Sequence, residues 1–443
     1  MSNSVSSRTG RASARRAWLV CLGCSLALFT VMGLGINGFT VYQPYLLERF
    51  HLTNGQGSWI TTVRSLFSLL SMLSADALCR RLGIRQTMTL GLGFFVVSYA
   101  LFGAASAFPT LCACAALSGL AYGFGGMIPL TLALSHWFRD RRGLALGLAA
   151  GGSGLSTVLA PPLLEESIQH LGLTAAFWLE GGVGILLTLC VFLLVRDRPE
   201  ELGLIPYTAS GGSGASVPAE RPAPPRLSRP LWWVVVAAAF LTGGPCGPGF
   251  SHLSVLYTSE NYDSGTVALL MSLFGLVLML SKVLYGSLSD TLGSRWANWS
   301  VYAVFLTGFS LCCLAPGGSI PLAFAAFVFT ALGMPLSSVS LSVWAGDLSA
   351  GPDYDRLVKW LSSAYMLGSL LTGPMPGMLA DRFGSYVPAY LLFLASLVCS
   401  MALIQGVYYK LGVGKRPYMS TQYDHKQDIL AAYLGYQLKY KKL

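Results

Sequence analysis

Stretches of roughly twenty apolar residues, the length a helix needs to cross the hydrocarbon core of a bilayer, recur twelve times in this chain. They run over 17–44, 57–79, 87–106, 110–136, 144–164, 174–195, 231–257, 264–289, 297–316, 320–345, 358–377 and 387–410. In lipid every backbone polar group must be paired internally, so each stretch reads as one spanning helix, numbered 1 to 12 in chain order. The chain has 443 residues, 53% apolar and 11% charged, against about 25% charged in soluble proteins. Several soluble domains in a row, intrinsic disorder, collagen and a secreted disulfide scaffold are thereby excluded. The first stretch is too long for a signal-peptide core and no cleavage site follows it, so it reads as a retained span. The ten cysteines lie almost all inside apolar runs, where Cys behaves as a small hydrophobe. Cys21 and Cys24 have the spacing of a metal or redox pair, but no second pair or nearby His accompanies them.

Charge gives the orientation. Of 29 Lys and Arg, 25 fall on the side that carries both chain ends, and Arg49 and Arg382 fall on the other. Basic residues gather on the cytoplasmic side of membrane proteins. Both termini are therefore expected in the cytoplasm of a cell whose plasma membrane holds the protein. The asymmetry also accounts for the net charge of +10 without nucleic acid as a partner. The expected layout is a cytoplasmic segment 1–16, a six-helix bundle 17–195, a flexible cytoplasmic linker 196–230, a second bundle 231–410 and a cytoplasmic tail 411–443. In the tail Ile429, Leu430, Tyr433, Leu434 and Leu438 recur at near-helical spacing, accompanied by Lys426, Lys439, Lys441 and Lys442. That pattern fits either a short helix on the anionic inner leaflet or a solvated tail.

The two halves repeat. Asp76-Ala-Leu-Cys-Arg80-Arg-Leu-Gly83-Ile-Arg85 follows helix 2, and Gly286-Ser-Leu-Ser-Asp290-Thr-Leu-Gly293-Ser-Arg295 follows helix 8, 210 residues on. Pro162 and Gly172 after helix 5 match Pro374 and Gly384 after helix 11, 212 residues on. Two matches at nearly one offset imply a duplicated six-helix unit. The segment Gly286-x-x-x-Asp290-x-x-Gly293-x-Arg295 resembles the cytoplasmic loop motif of the major facilitator superfamily. The resemblance implies an all-α membrane protein of two six-helix bundles related by a pseudo-two-fold axis. It also implies a gate in which Asp290 pairs with the opposite half in one state. The N-half copy departs from the motif: Arg80 stands at the Asp position and Asp76 at the first Gly.

A finer resemblance covers most of the chain. Trp137-Phe-Arg-Asp-Arg-Arg-Gly143-Leu-Ala-Leu-Gly147 with Gly151-Gly-Ser-Gly154, then Arg196-Asp-Arg-Pro199-Glu-Glu-Leu-Gly203, then Asp381-Arg-Phe-Gly384-Ser-Tyr386, resemble the monocarboxylate carriers and the bacterial oxalate:formate antiporters. Two departures accompany the match. Leu278 stands where animal carriers have an acid, and Ser363–Gly368 holds no lysine where the oxalate carriers have one. The resemblance implies a secondary carrier of small carboxylate anions.

No P-loop, no H-E-x-x-H and no embedded His/Asp pair is present, so neither an enzyme nor a cofactor nor a metal is indicated. Lys282 is the foremost candidate for binding the anion. It precedes Asp290 by eight residues, about 12 Å along a helix, and a lysine near mid-membrane costs about 2.5–3.5 kcal/mol on insertion scales. In the resembling carriers a helix-8 cation precedes the motif Gly by four residues, the spacing of Lys282 to Gly286. Arg64 is the second candidate, either facing the cavity, pairing with Glu180 or snorkelling outward. If Lys282 and Arg64 share one cavity, a dicarboxylate would bridge the halves. Asn37, Tyr42, Gln43, Tyr122, Trp344 and Tyr365 are further cavity candidates; packing is the competing role for each. The expected gate comprises Gly286, Asp290, Gly293, Arg295, Asp76, Arg80, Gly83 and Arg85. The reading is a monomeric carrier that works by alternating access on a small organic anion. The alternatives are the same fold moving a neutral or cationic solute, or a non-transporting sensor.

Overall fold

In a computed structural model, residues 2–52, 54–208, 227–350 and 352–414 are described. The tail pattern at 429–438 and the linker core 209–226 lie outside them. Helix 1 runs unbroken through Ser2–Leu28, Phe29–Gly38 and Phe39–Arg49. Helices 2 and 3 are Asn54–Leu82 and Ile84–Ala104, and helix 4 comprises Phe108–Gly125 and Met127–Trp137. Helices 5 and 6 are Arg142–Leu171 and Leu173–Leu194. Helix 7 comprises Arg229–Gly244, Pro245–Gly249 and Leu253–Ser259. Helices 8 and 9 are Ser264–Thr291 and Ser294–Cys312. Helix 10 comprises Ile320–Gly333, Met334–Ser337 and Val339–Leu348, helix 11 comprises Pro352–Thr372 and Met375–Phe383, and helix 12 is Val387–Leu411. Ten of these are long and apolar enough by composition alone to cross a membrane. The two that fall short are helix 9, which opens with Ser294-Arg295, and helix 11, whose first eight residues include Asp353, Asp355, Arg356 and Lys359. The twelve helices form two six-helix bundles.

The repeat is visible in the backbone. Gly83 and Gly293, 210 residues apart, share φ near +90° (90° and 87°) with ψ 161° and 148°. Only glycine enters that region without strain, so the short turns after helices 2 and 8 are glycine turns. The first helix of each half also carries a π-helical segment, Phe29–Gly38 in helix 1 and Pro245–Gly249 in helix 7. In helix 7, Pro245 and Pro248 remove backbone N–H donors and force the wider register. In helix 1, Gly33, Gly35 and Gly38 allow it. Helices 4 and 10 break at matching places, Gly126 and Met334–Ser338.

The expected flexible linker is shorter than 196–230. Residues 196–208 fold back on the first bundle. Tyr207 exchanges backbone hydrogen bonds with Trp137 (2.8 Å) and Arg139 (3.1 Å), and its ring packs edge-on to Trp18 and Phe138. Aromatic burial fixes a segment whose polarity reads as a loop.

The bundles meet along helices 5 and 8 and along helices 2 and 11. Glycines carry the first seam. Gly143 lies against Gly286 and Ser289, Gly147 against the Lys282 backbone, and Gly154 against Met279. A side chain at any of the three would keep the helices apart. Hydrogen bonds and ion pairs cross between the halves from mid-membrane toward the face bearing the chain ends: Lys282 to Ser153, Thr131 to Ser342, Asp290 to helix 5, and Lys359 to Asp76. The halves are therefore latched on that face.

Candidate functional site

Lys282 emerges from helix 8 into the seam. Its side chain is 2% exposed. Its Nζ donates to Ser153 Oγ at 2.6 Å and to the Ala150 carbonyl at 3.5 Å, both on helix 5 of the other bundle. Among the described residues no carboxylate lies within ion-pair distance of it. Gly147, against the Lys282 backbone, and Gly154, against Met279, are what let helix 5 come so close. The ammonium thus sits between the halves, held by neutral oxygens.

A narrow crevice is lined from both halves by Met72, Tyr122 and Met127, and by Ser337, Ser338, Leu341, Ser362 and Tyr365, with no lining residue from helices 5 or 8. Two expected cavity residues, Tyr122 and Tyr365, are brought together here. Among the described residues the buried Ser338 hydroxyl has no hydrogen-bond partner, nor does that of Ser363 next to Ser362.

Other candidates lie elsewhere. Arg64 sits in a crevice lined wholly by the first bundle, by Phe39, Ile60, Phe102, Ala115 and Ser118. Its guanidinium lies 5.0 Å from the Phe39 ring centre and donates to the Gly35 carbonyl at 3.3 Å. Arg64 and Lys282 do not face a common cavity in this structure, so the expected bridging by one dianion is not how the two are arranged. Arg64 does not pair with Glu180 either, because the π-segment carbonyl and the Phe39 face take its charge. Tyr42 stacks on Phe177 at 4.0 Å, fully buried inside the first bundle. Trp344 is fully buried inside the second, its Nε1 donating to Asn298 Oδ1 at 2.8 Å. Asn37 donates to Thr157 at 2.7 Å. Gln43 is half-buried at the outer part of helix 1, near Gly57.

The gate differs in detail from its sequence reading. The carboxylate of Asp290 accepts from the backbone N–H groups of Gly143 (3.0 Å) and Leu144 (2.7 Å), which caps the start of helix 5. A helix N-terminus presents free donors and positive potential, and serves as a partner for the carboxylate. In the N-half, Asp76 supplies the acid from the position of the missing glycine. It binds Arg80 one turn on (3.2 Å) and Lys359 across the seam (3.1 Å). Lys359 went unremarked in the sequence, although a lysine at the start of a spanning helix opposite a buried acid was the available signal. Arg142 lies 4.2 Å from the Tyr354 ring and adds a further cross-seam contact. Arg85 and Arg295 point away from the seam onto Phe192 and Tyr409.

A family model described as the Major Facilitator Superfamily matches residues 23–351 and 253–422. Among curated proteins, monocarboxylate transporter 13 of Bos taurus is 26% identical over 87% of this chain and 88% of its own. Monocarboxylate transporter 11 of Homo sapiens is 27% identical over 87% and 82%. Among solved structures, the proton:xylose symporter XylE aligns over 90% of this chain and 96% of its own, with a TM-score of 0.70 at 12% identity.

Proposed function

From the premise that this chain belongs to the major facilitator superfamily and is a multi-pass transporter, we propose that it is a secondary carrier of small carboxylate anions. The substrate anion binds at Lys282, and the two bundles rock about it. The observation that carries this reading is the Lys282 ammonium, buried at the seam with only neutral partners. A buried cation without a countercharge is costly, and an anion arriving between the bundles relieves that cost. The similarity to two monocarboxylate transporters supports the same substrate class. Tyr122, Tyr365, Ser338 and Ser363 would orient the rest of a small molecule. The 25-to-2 distribution of basic residues supports a plasma-membrane location with the latched face cytoplasmic. The carrier works as a monomer, since both halves of the seam come from one chain.

The test is thermal stabilisation of the purified protein by a panel of small carboxylates, sugars and amines, with and without Lys282→Ala. At least one carboxylate should raise the melting temperature of the wild type and not of Lys282→Ala, while Lys282→Arg keeps part of the effect because charge survives and geometry changes. Stabilisation by a sugar or an amine that Lys282→Ala leaves intact would overturn the reading.

A further inference from the structure

Three arginines from three segments meet at the end of helix 6. Arg16 comes from helix 1, Arg85 from the first turn of helix 3 and Arg196 from just beyond helix 6 itself. Arg16 Nη2 donates to the Leu193 and Leu194 carbonyls at 3.2 and 3.1 Å. Arg85 Nε donates to the Phe192 carbonyl at 2.7 Å, and its guanidinium lies 3.7 Å from the centre of the Phe192 ring. Arg196 Nη1 donates to the Phe192 and Val195 carbonyls at 3.1 and 2.9 Å. These bonds engage one nitrogen of each guanidinium, out of three. Arg16 Nε is buried without a hydrogen-bond partner among the described residues.

Capping a helix accounts for one cation here, not for three. A helix C-terminus carries about half a negative charge. Arg85 and Arg196 both act on Arg16 as like charges, and Arg196 acts in the same way on Arg85. Two acids stand on the Arg85 side. Asp197 Oδ1 accepts from the Arg85 backbone N–H at 2.6 Å, which fixes the turn after Gly83, and Glu201 lies within electrostatic reach of Arg85. Among the described residues neither acid forms an ion pair with any of the three guanidiniums. Three positive charges against two negative ones and one helix end leave the corner positive, most of all around Arg16.

Depth in the membrane selects the anion. Arg16 precedes the apolar stretch 17–44 by one residue, Arg85 precedes 87–106 by two, and Arg196 follows 174–195 by one. All three therefore stand at the boundary between hydrocarbon and water, where lipid phosphates lie. From this corner the exposed Leu186, Leu189 and Leu193, three and four residues apart on helix 6, run as one apolar stripe into the membrane. We propose that Arg16, Arg85 and Arg196 bind the phosphate of an anionic phospholipid, with an acyl chain lying along the Leu186–Leu193 stripe. Planar guanidinium forks match phosphate oxygens two at a time, and the Phe192 ring beneath Arg85 holds one fork in place. Basic pockets between spanning helices take such headgroups from the anionic inner leaflet. The bound lipid ties helices 1, 3 and 6 together on the latched face, whatever solute the protein moves.

The experiment titrates the purified full-length protein in detergent with three probes: phosphatidylglycerol, phosphatidylcholine of the same acyl chains, and inorganic phosphate. Native mass spectrometry counts bound lipid, and thermal unfolding reads stabilisation. The wild type should retain phosphatidylglycerol in preference to phosphatidylcholine and unfold at a higher temperature with it. Arg16→Gln/Arg196→Gln should bind phosphatidylglycerol about 30-fold more weakly, the effect of two lost charges at a membrane surface. Arg81→Gln/Arg229→Gln removes two exposed arginines from the same face and should bind as the wild type does. Arg16→Lys/Arg196→Lys keeps the charges without the forks, so it tests the site even where the glutamine variant fails to fold; its binding should be intermediate. Wild-type binding by the lysine variant, or equal losses in the two glutamine variants, would mean a diffuse basic face and overturn the proposal. Stabilisation by inorganic phosphate equal to that by phosphatidylglycerol would assign the corner to a free anion and overturn the lipid.

Discussion

Asp290→Asn tests the latch at its best-defined point. The wild-type carboxylate accepts two backbone N–H groups across the seam, at 3.0 and 2.7 Å. Hydrogen bonds to a charged group are each worth about 1.5–3 kcal/mol, and a charge at a helix N-terminus adds about 0.3–1 kcal/mol. Asparagine keeps one oxygen acceptor and loses the charge and the second acceptor. The net loss is about 2 kcal/mol, or roughly 30-fold in the equilibrium between latched and released forms. Hydrogen exchange followed on peptides spanning the start of helix 5 and the end of helix 8 reads this directly, because both ends open only when the latch does. Exchange there should quicken by about that factor, and transport should change in rate more than in affinity. Arg80→Ala is the comparison: its side chain is 61% exposed and its helical pair with Asp76 contributes about 0.3–0.5 kcal/mol. Unchanged exchange in Asp290→Asn, or equal effects from the two substitutions, would refute the capping argument.

The remaining predictions concern the same seam. Lys359→Ala and Asp76→Asn should each weaken the latch, and their double variant should be less than additive by about 1–2 kcal/mol, measured as a thermal-stability cycle; full additivity would mean that the pair contributes nothing. Gly286→Ala should drive the protein out of the latched form, since its methyl meets the Gly143 backbone, which cannot give way. Distances between spin labels at Arg141 and Thr291 should then lengthen, and an unchanged distribution would show that helices 5 and 8 can part slightly without releasing. Lys282→Met, which keeps length without charge, should raise thermal stability in the absence of any anion and abolish stabilisation by one; lowered stability would mean that the Ser153 bond outweighs the buried charge.

Much of this molecule is readable from the chain, for identifiable reasons. Spanning helices announce themselves because lipid imposes one length and one composition, and the glycine turns at Gly83 and Gly293 survive as a motif because no other residue takes their backbone. Lys282 stands out since a lysine at that depth is expensive anywhere in a bilayer. Direction around a helix is harder. Arg64 and Lys282 look alike in sequence, yet one turns into its own bundle and the other into the seam; in spans that are apolar on every side, periodicity carries little rotational information. Asp290 is bound by main-chain amides, which no side-chain pattern can reveal. The docking of 196–208 depends on Tyr207 finding Trp18 and Phe138, a meeting of three distant segments that local polarity hides.

At the Gly143–Gly286 crossing the two bundles touch main chain to main chain. Such a contact carries almost no side-chain information, so its strength is indifferent to what the rest of the seam is made of. Side chains lining the crevice take no part in it. On the proposed carrier reading, side chains around Tyr122 and Tyr365 are free to set what is bound while the contact between the bundles, written in glycine, stays as it was.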